Sequence, residues 1–410
     1  MRILHVNRYA YNFGGAETYM LGCQAAQRRA GHDSEVFGMA HERNPDHRYG
    51  RYFPPYIDIR GETDEPANRL LATGRLLWSR SANQGLRRVI EDFQPDVAHV
   101  HGVYNEVSPS VLWELNRAQV PTVMTVHDYK LVCPRQDMLR HGSLCEACGG
   151  EQFFNIVRYR CKDGSVGASG ALMAESYLHR WMGSYDTVSR FLSPSRFLRD
   201  KLVQYRVDAA RVEVLTNFVD TTSIAPATGH GNGILYAGRL DSPKGVDVLI
   251  QAAAHLPEVP VTIIGKGPGE EQLRNQAAGL PNVTFLGHQS KEAVLQAMRT
   301  VSATVLPARW HENQPMSILE SFAVGTPVIS TAVGGIPELV LDGDTGWLME
   351  RDDPAALTRL MAEAAGDPEE SRRRGLRGRL LVEGAHNPDA HMADLMRAYG
   401  RARSDVRAER

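Results

Sequence analysis

Residues 234–245 read Ile-Leu-Tyr-Ala-Gly-Arg-Leu-Asp-Ser-Pro-Lys-Gly, and this stretch decides the fold. An apolar run ends at a glycine and a cation, and helical spacing over 246–255 follows a short polar turn. Continuous apolar runs of this length are typical of parallel strands that are covered on both faces. The stretch therefore predicts a strand, a turn and a helix of an open α/β sheet.

The same alternation recurs along nearly the whole chain, in two series. It predicts two Rossmann-like, doubly wound parallel-sheet domains, because alternating strands and helices form open sheets with helices on both faces. The predicted strands are 2–7, 35–39, 96–101, 122–127 and 187–193, then 234–238, 261–265, 283–287, 304–307 and 328–331, and the clearest helices are 17–29, 246–255 and 291–298.

The domain boundary is predicted where the second series begins, after the polar stretch 225–232. A chain of 410 residues has the length of two domains. We assign 1–217 to the first and 218–386 to the second, and 388–401 reads as a helix within the tail 387–410. Residues 133–170 break the alternation and are predicted to be a cysteine-rich insertion in the first domain.

Composition excludes several classes of protein. A formal net charge of −2 gives no argument for a nucleic-acid partner, and none is predicted. The first residues lack the apolar stretch of a secretory signal, and no window approaches the length of a membrane helix, so a cytoplasmic protein is expected. The amphipathic stretch 70–93 fits a helix packed on the core, and it leaves peripheral contact with a membrane open.

Three glycine-rich or charged motifs follow predicted strands. Gly14-Gly15 opens the first helix, where backbone N–H groups favour phosphate, although a plain tight turn has the same pattern. Arg239 and Lys244 place two cations near one sheet edge, where a departing diphosphate needs neutralisation; two solvated surface cations are the alternative. His127, before Asp128, ends another strand and could bond a sugar hydroxyl or remain purely structural.

The strongest signal is the stretch 310–321, Trp-His-Glu-Asn-Gln-Pro-Met-Ser-Ile-Leu-Glu-Ser. Pro315 suits the first turn of a helix, which places Glu312 in the preceding loop and Glu320 inside the helix. Carboxylates in these positions can hold sugar hydroxyls and a ribose diol. An exposed Glu320 on an amphipathic helix is the alternative, which its apolar neighbours disfavour.

Four cysteines lie within the insertion. One close pair, Cys145 and Cys148, is flanked by Cys133 and Cys161, and four thiolates could hold a structural zinc ion. One close pair with two single cysteines is a weaker pattern than two such pairs, and disulfides, free thiols or an iron–sulfur cluster stay open.

Together these motifs resemble the retaining glycosyltransferases of family four, which have the GT-B fold, and the resemblance implies that the two Rossmann-like domains face each other across a cleft. The resemblance covers nearly the whole chain and includes Ile264-Gly265-Lys266-Gly267-Pro268 and Gly325-Thr326-Pro327-Val328. Thr216-Asn217-Phe218-Val219-Asp220 departs from the family's usual Pro-Asn-Gly-Val-Asp in a linker turn.

The resemblance implies a role for each motif. Residues implied in catalysis are His127 beside the sugar, Arg239 and Lys244 at the diphosphate, and Glu312 at sugar hydroxyls. Donor-binding residues are Gly14, Gly15, Gly265, Lys266, Asn313, Met316, Ser317, Ile318 and Glu320, with Glu320 at the ribose. The last helix is expected to return to the first domain.

The implied activity is hexosyl transfer from a UDP, GDP or ADP sugar to a hydroxyl acceptor. Attack from the same face retains the anomeric configuration without a divalent metal or a protein nucleophile. A nucleotide-sugar epimerase, a sugar phosphorylase and a non-catalytic nucleotide-sugar-binding scaffold are the alternatives.

Overall fold

A computed structural model of the chain describes residues 1–57, 74–229 and 231–408, which divide into two compact units. The first unit comprises Met1–Met138, Glu146–Leu215 and Met392–Arg410. The second comprises Leu139–Cys145 and Thr216–His391. The main break between units therefore falls between residues 215 and 216, two residues before the boundary assigned from the sequence.

The first unit is built on a six-stranded, all-parallel sheet in the order β2-β1-β3-β4-β7-β8. Its strands are β1 (Arg2–Val6), β2 (Asp33–Phe37), β3 (Val97–Val100), β4 (Thr122–Thr125), β7 (Arg190–Ser193) and β8 (Val212–Val214). Its helices are α1 (Gly15–Arg29), α2 (Arg80–Phe93), α3 (Ser110–Arg117), α4 (Asn155–Arg158), α5 (Val166–Trp181), α6 (Arg196–Gln204) and, from the end of the chain, most of α13 (Pro388–Ala408).

The second unit repeats this plan with a six-stranded parallel sheet in the order β11-β10-β9-β12-β13-β14. Its strands are β9 (Ile234–Ala237), β10 (Val261–Ile264), β11 (Val283–Gly287), β12 (Ala303–Leu306), β13 (Val328–Thr331) and β14 (Gly346–Met349). Its helices are α7 (Val246–Ala253), α8 (Glu270–Gln276), α9 (Lys291–Met298), α10 (Met316–Ala323), α11 (Pro354–Gly366) and α12 (Pro368–Ala385).

All ten predicted strands are present, each within a few residues of its predicted bounds. Eight of these strands are central, and β3, β4, β12 and β13 are buried along their whole length, which accounts for their continuous apolar sequence; β2 and β11 lie at the edges of their sheets. Strands β8 and β14 were not predicted. Each is the last strand of its sheet and lies at one edge.

The cysteine-rich segment has little regular structure. It contains a two-residue antiparallel hairpin, β5 (Leu139–Arg140) with β6 (Ser143–Leu144), followed by the single turn α4 and the start of α5. Of the amphipathic stretch 70–93, residues 70–73 lie outside the described part, and α2 buries Leu86, Val89, Ile90 and Phe93 in the core of the first unit. None of the described helices combines the length and apolar character that crossing a bilayer requires.

Candidate functional site

The direction of the strand order reverses between β9 and β12 in the second sheet, and between β1 and β3 in the first. Ligands of open α/β sheets bind at such points, beyond the carboxyl ends of the strands, because the loops diverge there and leave a crevice. The loops after β9 and β12 carry Lys244 and Glu312. Lys244 and Glu312 therefore lie in the loops that follow the two strands on either side of the reversal.

Lys244 and Glu312 form a close ion pair. The Lys244 Nζ lies 2.5 Å from Oε1 of Glu312, and the indole Nε1 of Trp310 donates to the same oxygen at 2.6 Å. The lysine ammonium also lies 5.3 Å from the centre of the Trp310 ring, within the range of a cation–π contact. Both side chains are largely buried, with 18% of Lys244 and 7% of Glu312 exposed. The structure thus brings these two predicted residues together.

Two glycines with positive φ angles fix the backbone beside this pair. Gly245 has φ +69°, and a Cβ there would lie 2.0 Å from the carbonyl oxygen of Pro307. Gly334 has φ +62°, and a Cβ would lie 2.2 Å from the carbonyl oxygen of Glu312, to which Gly335 donates at 2.7 Å. Any larger residue would push the loops apart. Both loops are therefore held by close backbone contact.

Arg309 links the same two loops, which follow β9 and β12. Its guanidinium makes a bidentate ion pair with Asp247, at 2.6 and 2.7 Å, and a further contact with Asp352. The Arg309 amide donates to the carbonyl of Pro243 at 2.8 Å, in the turn that carries Lys244. These carboxylates raise the pKa of Arg309, so it stays charged. Arg309 could not be predicted from the sequence because its partner Asp247 is distant in the chain.

Arg239 is placed differently from Lys244. Its Nε lies 3.1 Å from Asp241, and 56% of its side chain is exposed. Tyr236 donates to the Arg239 carbonyl at 2.6 Å and so fixes the backbone at the end of β9. Within the described residues, the side chain is therefore held by a surface ion pair, which is weak.

Helix α10 begins at Met316, next to the residue predicted from Pro315. Its N-cap is Pro315, so no side chain caps the first turn that holds Ser317 and Ile318. Asn313 is buried in the preceding loop. Glu320 lies within the helix with 17% of its side chain exposed, and Lys291 is 3.9 Å away. Burial raises the pKa of Glu320, and Lys291 opposes that shift only in part.

Gly265 and Lys266 follow β10, the neighbour of β9. The amide of Gly265 donates to Gly287 at 2.8 Å, and the Lys266 carbonyl accepts from Leu240 at 3.0 Å. The backbone after β10 is thereby tied to the backbone after β9, the strand that leads to Arg239 and Lys244.

In the first unit, Gly14 is the N-cap of α1 and has an extended backbone with φ −164°. The first turn also carries Glu17, which is buried and accepts from Asn7 Nδ2 at 3.0 Å. Gly102, after β3, donates to Asn7 Oδ1 at 2.9 Å, so Asn7 links the loops on both sides of the reversal. The turn at Gly14 and Gly15 therefore contains a carboxylate as well as helix N–H groups.

His127 follows β4 and is partly buried. Its Nε2 lies 3.0 Å from Nδ1 of His101, and its ring packs against Tyr19 of α1 at 5.3 Å between centres. Burial, assisted by the charge of Arg8, lowers the pKa of His127 to about 3. Burial raises the pKa of the adjacent Asp128 to about 6, although Lys130 N donates to it. His127 is therefore neutral at physiological pH.

Within the described residues, His5, His99 and His101 are the only group of three or more histidine, cysteine or carboxylate ligands with donor atoms within 4.8 Å of one another. The hydrogen bonds of their side chains use all six ring nitrogens. His5 bonds His101 and Gln27, His99 bonds Tyr399 and Thr125, and His101 bonds His5 and His127. A metal ion would have to break these bonds, so the group does not fit a metal site.

Cys133, Cys148 and Cys161 belong to the first unit, and Cys145 to the second. Among the described residues, the sulfurs of Cys133, Cys148 and Cys161 do not come within 4.8 Å of one another as a group. Burial raises the pKa of Cys133, which disfavours its thiolate. Zinc binding by the four cysteines stays a prediction from their spacing.

Comparison with solved structures identifies the fold. The chain superimposes on HepE from Anabaena, a crystal structure in complex with UDP and glucose, with a TM-score of 0.68 and 16% identity. The match covers 98% of this chain and 99% of that one. Such a likeness at low identity shows the fold, which is the GT-B arrangement of two Rossmann-like parallel-sheet units.

Sequence comparison identifies the family. Residues 13–223 match the profile of Glycosyltransferase Family 4, and residues 225–380 match Glycosyl transferases group 1. The chain belongs to Glycosyltransferase Family 4.

Two curated relatives illustrate the relationship. A D-inositol 3-phosphate glycosyltransferase from Mycolicibacterium vanbaalenii is 30% identical to this chain. The match covers 54% of this chain and 55% of that protein, so the chain spans about half of that protein's length. A phosphatidyl-myo-inositol mannosyltransferase from Mycobacterium leprae is 27% identical over 87% of this chain and 85% of that protein.

Proposed function

We propose that the chain transfers a hexose from a nucleoside diphosphate sugar to a hydroxyl acceptor and retains the configuration at the anomeric carbon. The observation that carries the proposal is the Lys244–Glu312 pair at the reversal of the second sheet. A buried lysine supplies positive charge for a leaving diphosphate, and the neighbouring carboxylate suits sugar hydroxyls.

The reaction breaks the bond between the anomeric carbon and the diphosphate oxygen, and that oxygen keeps the electron pair. The acceptor oxygen attacks from the face that the diphosphate leaves, and its proton passes to the departing phosphate. No protein nucleophile takes part. The protein contributes position and charge, so the chemistry depends on where the cations are held.

Five of the candidate residues have a direct part in this reaction. Lys244 neutralises the diphosphate, and Arg239 joins it by leaving its surface ion pair with Asp241. Glu312 accepts hydrogen bonds from sugar hydroxyls, and Glu320 accepts from the ribose diol. We assign His127 a contact with the transferred sugar because of its place in the family motif. Lysine, arginine and the N-terminus of α10 replace a divalent metal in catalysis.

The class of donor is supported by a structural neighbour. HepE binds UDP and glucose in its crystal structure, and the curated relatives are named as a glycosyltransferase and a mannosyltransferase. For this chain we infer a UDP, GDP or ADP sugar as the donor and a hydroxyl group as the acceptor site.

Thermal unfolding with UDP, GDP or ADP, with and without EDTA, tests the donor class. One nucleotide should raise Tm more than the others, and EDTA should not remove the gain. Incubation with the matching sugar nucleotides and a panel of hydroxyl acceptors, followed by NMR of the product, should then show a retained anomeric linkage.

The alternatives give other results. Sugar release that requires orthophosphate would indicate a phosphorylase, and an altered sugar that stays attached to the nucleotide would indicate an epimerase. Nucleotide binding with no product from any acceptor would favour a non-catalytic scaffold. An inverted linkage, or a strict need for a divalent metal, would contradict the proposed mechanism.

A further inference from the structure

A line of buried side chains runs through the first unit from α1 to the end of β4. Gln27 Oε1 lies 2.9 Å from His5 Nε2, His5 Nδ1 lies 3.0 Å from His101 Nε2, and His101 Nδ1 lies 3.0 Å from His127 Nε2. Gln27, His5 and His101 are completely buried. His127 is the only member that is partly exposed, so the line ends at the residue assigned to the sugar.

The first member of the line determines which nitrogens carry hydrogen. The Gln27 amide nitrogen donates to Tyr399 at 3.1 Å, and its oxygen accepts from Ser34 at 2.7 Å. The same oxygen therefore accepts from His5 Nε2–H, which leaves His5 Nδ1 as an acceptor.

The same donor-to-acceptor direction holds for the next two hydrogen bonds of the line. His101 must donate from Nε2 to His5, so its Nδ1 accepts from His127 Nε2–H. A neutral imidazole carries one hydrogen, so Nδ1 of His127 is unprotonated.

These hydrogen positions require all three imidazole rings to be neutral. Burial lowers the pKa of His5 to about 4, with Arg28 acting in the same direction, and burial also holds the pKa of His101 well below its usual value. Arg8 adds to the effect at His127. The packed groups Tyr19, Cys23 and Tyr399 have raised pKa values and stay neutral as well.

We propose that His101, oriented by His5 and Gln27, is a positioning residue that fixes the tautomer of His127, so that His127 Nδ1 accepts a hydrogen bond and cannot donate one. Any group that bonds His127 Nδ1 must then be a hydrogen-bond donor, and under the proposed function that donor is a hydroxyl of the transferred sugar. The tautomer does not rest on that function, because the protein's own hydrogen bonds set it.

Long-range 1H–15N NMR of histidine-labelled protein without donor or acceptor tests this directly, and a His127→Asn variant assigns the signals. We expect a protonated Nε2 and an unprotonated Nδ1 for His127 from pH 6 to 8. His101→Leu should give a mixture of tautomers, whereas His101→Gln, which can accept and donate along the same line, should restore the single tautomer.

His99→Leu is the matched control. His99 is equally buried and lies two residues earlier, within β3. Its ring nitrogens bond Tyr399 and Thr125, so it connects to Gln27 through Tyr399 but supplies no nitrogen to the three hydrogen bonds between Gln27 and His127. It should lower Tm by an amount similar to His101→Leu and leave the His127 tautomer unchanged. In the transfer assay, His101→Leu should slow kcat about two- to tenfold, the effect of one hydrogen bond, and His99→Leu should not.

A protonated Nδ1 on His127 in the native protein, or an unchanged tautomer in His101→Leu, would overturn the inference. If the tautomer behaves as expected and no sugar is transferred under any condition, the proposed function fails and the positioning role of His101 stands.

Discussion

Lys244 Nζ contacts Glu312 Oε1 at 2.5 Å, so the cation proposed to meet the diphosphate is already paired with a carboxylate. Under the proposed function, the donor phosphates compete with Glu312 for the ammonium, and Glu312 is then available to sugar hydroxyls. Because Trp310 bonds the same carboxylate oxygen, Glu312 keeps one fixed partner during that exchange.

Replacing Lys244 by alanine should lower kcat about 100- to 1,000-fold, since it removes a preorganised charge at the leaving group. Steady-state kinetics would measure the loss, and circular dichroism should show an unchanged fold. Lys201→Ala, which removes another lysine ion pair, with Glu146, is the control and should retain normal turnover. Normal turnover in Lys244→Ala would rule out the diphosphate role.

Replacing Arg309 by lysine should cost about 1–3 kcal/mol of unfolding free energy and also slow turnover. A lysine cannot reproduce the bidentate pair with Asp247 or reach Asp352 at the same time, so the Lys244 turn loses its support. Urea unfolding and kinetics of the same samples would measure both effects. If stability falls while kcat is unchanged, the ion pairs do not position Lys244.

Glu320→Gln should weaken nucleotide binding about five- to 100-fold, as expected for lost charge-assisted hydrogen bonds to a ribose diol. Isothermal titration calorimetry with the nucleoside diphosphate that gives the largest thermal shift would measure Kd. Glu258→Gln, on an exposed position of the same unit, provides the control. Equal affinity of Glu320→Gln and the native protein would refute the ribose contact.

Asp128→Asn should stabilise the protein above pH 6 and have no effect at pH 4. The folded pKa of Asp128 is raised to about 6, so the native state loses stability as pH rises from the ordinary aspartate value to that point. An amide avoids this loss, and it can still accept from Lys130 N.

The gain should reach about 1–2 kcal/mol above pH 6, after allowance for solvent screening at this partly exposed group. Unfolding measured from pH 4 to 8 tests the slope. Asp163→Asn, on an exposed carboxylate, should show no such pH-dependent difference from the native protein. A constant offset at all pH values for Asp128→Asn would mean that burial of its charge is not the cause.

Local sequence pattern was sufficient for the central strands, because a strand buried on both faces must be apolar throughout. It failed at β8 and β14. In β8, Val212 is buried while Val214 is exposed, so the apolar signal is incomplete. The turn of Lys244 and the helix start at Met316 were also predictable, since glycine and proline mark them.

The long-range contacts that hold the candidate site residues in place could not be predicted in the same way. Arg309 and Asp247 lie 62 residues apart, and only the folded sheet brings them together. The same holds for His5 and His101, which are 96 residues apart and meet because β1 and β3 are neighbours in register. No sequence window contains either pair.

The buried network of the first unit includes Tyr399 of α13, whose hydroxyl oxygen accepts from Gln27 Nε2 at 3.1 Å and lies 2.8 Å from His99 Nδ1. The six strands of that unit are therefore translated before the second unit, and the Tyr399 hydroxyl becomes available only after the second unit has been synthesised. Until α13 has docked, the amide of Gln27 and the ring of His99 lack Tyr399 as a hydrogen-bond partner and bond water in its place. Completion of the first unit is thus a late step in biosynthesis, although its strands are translated first.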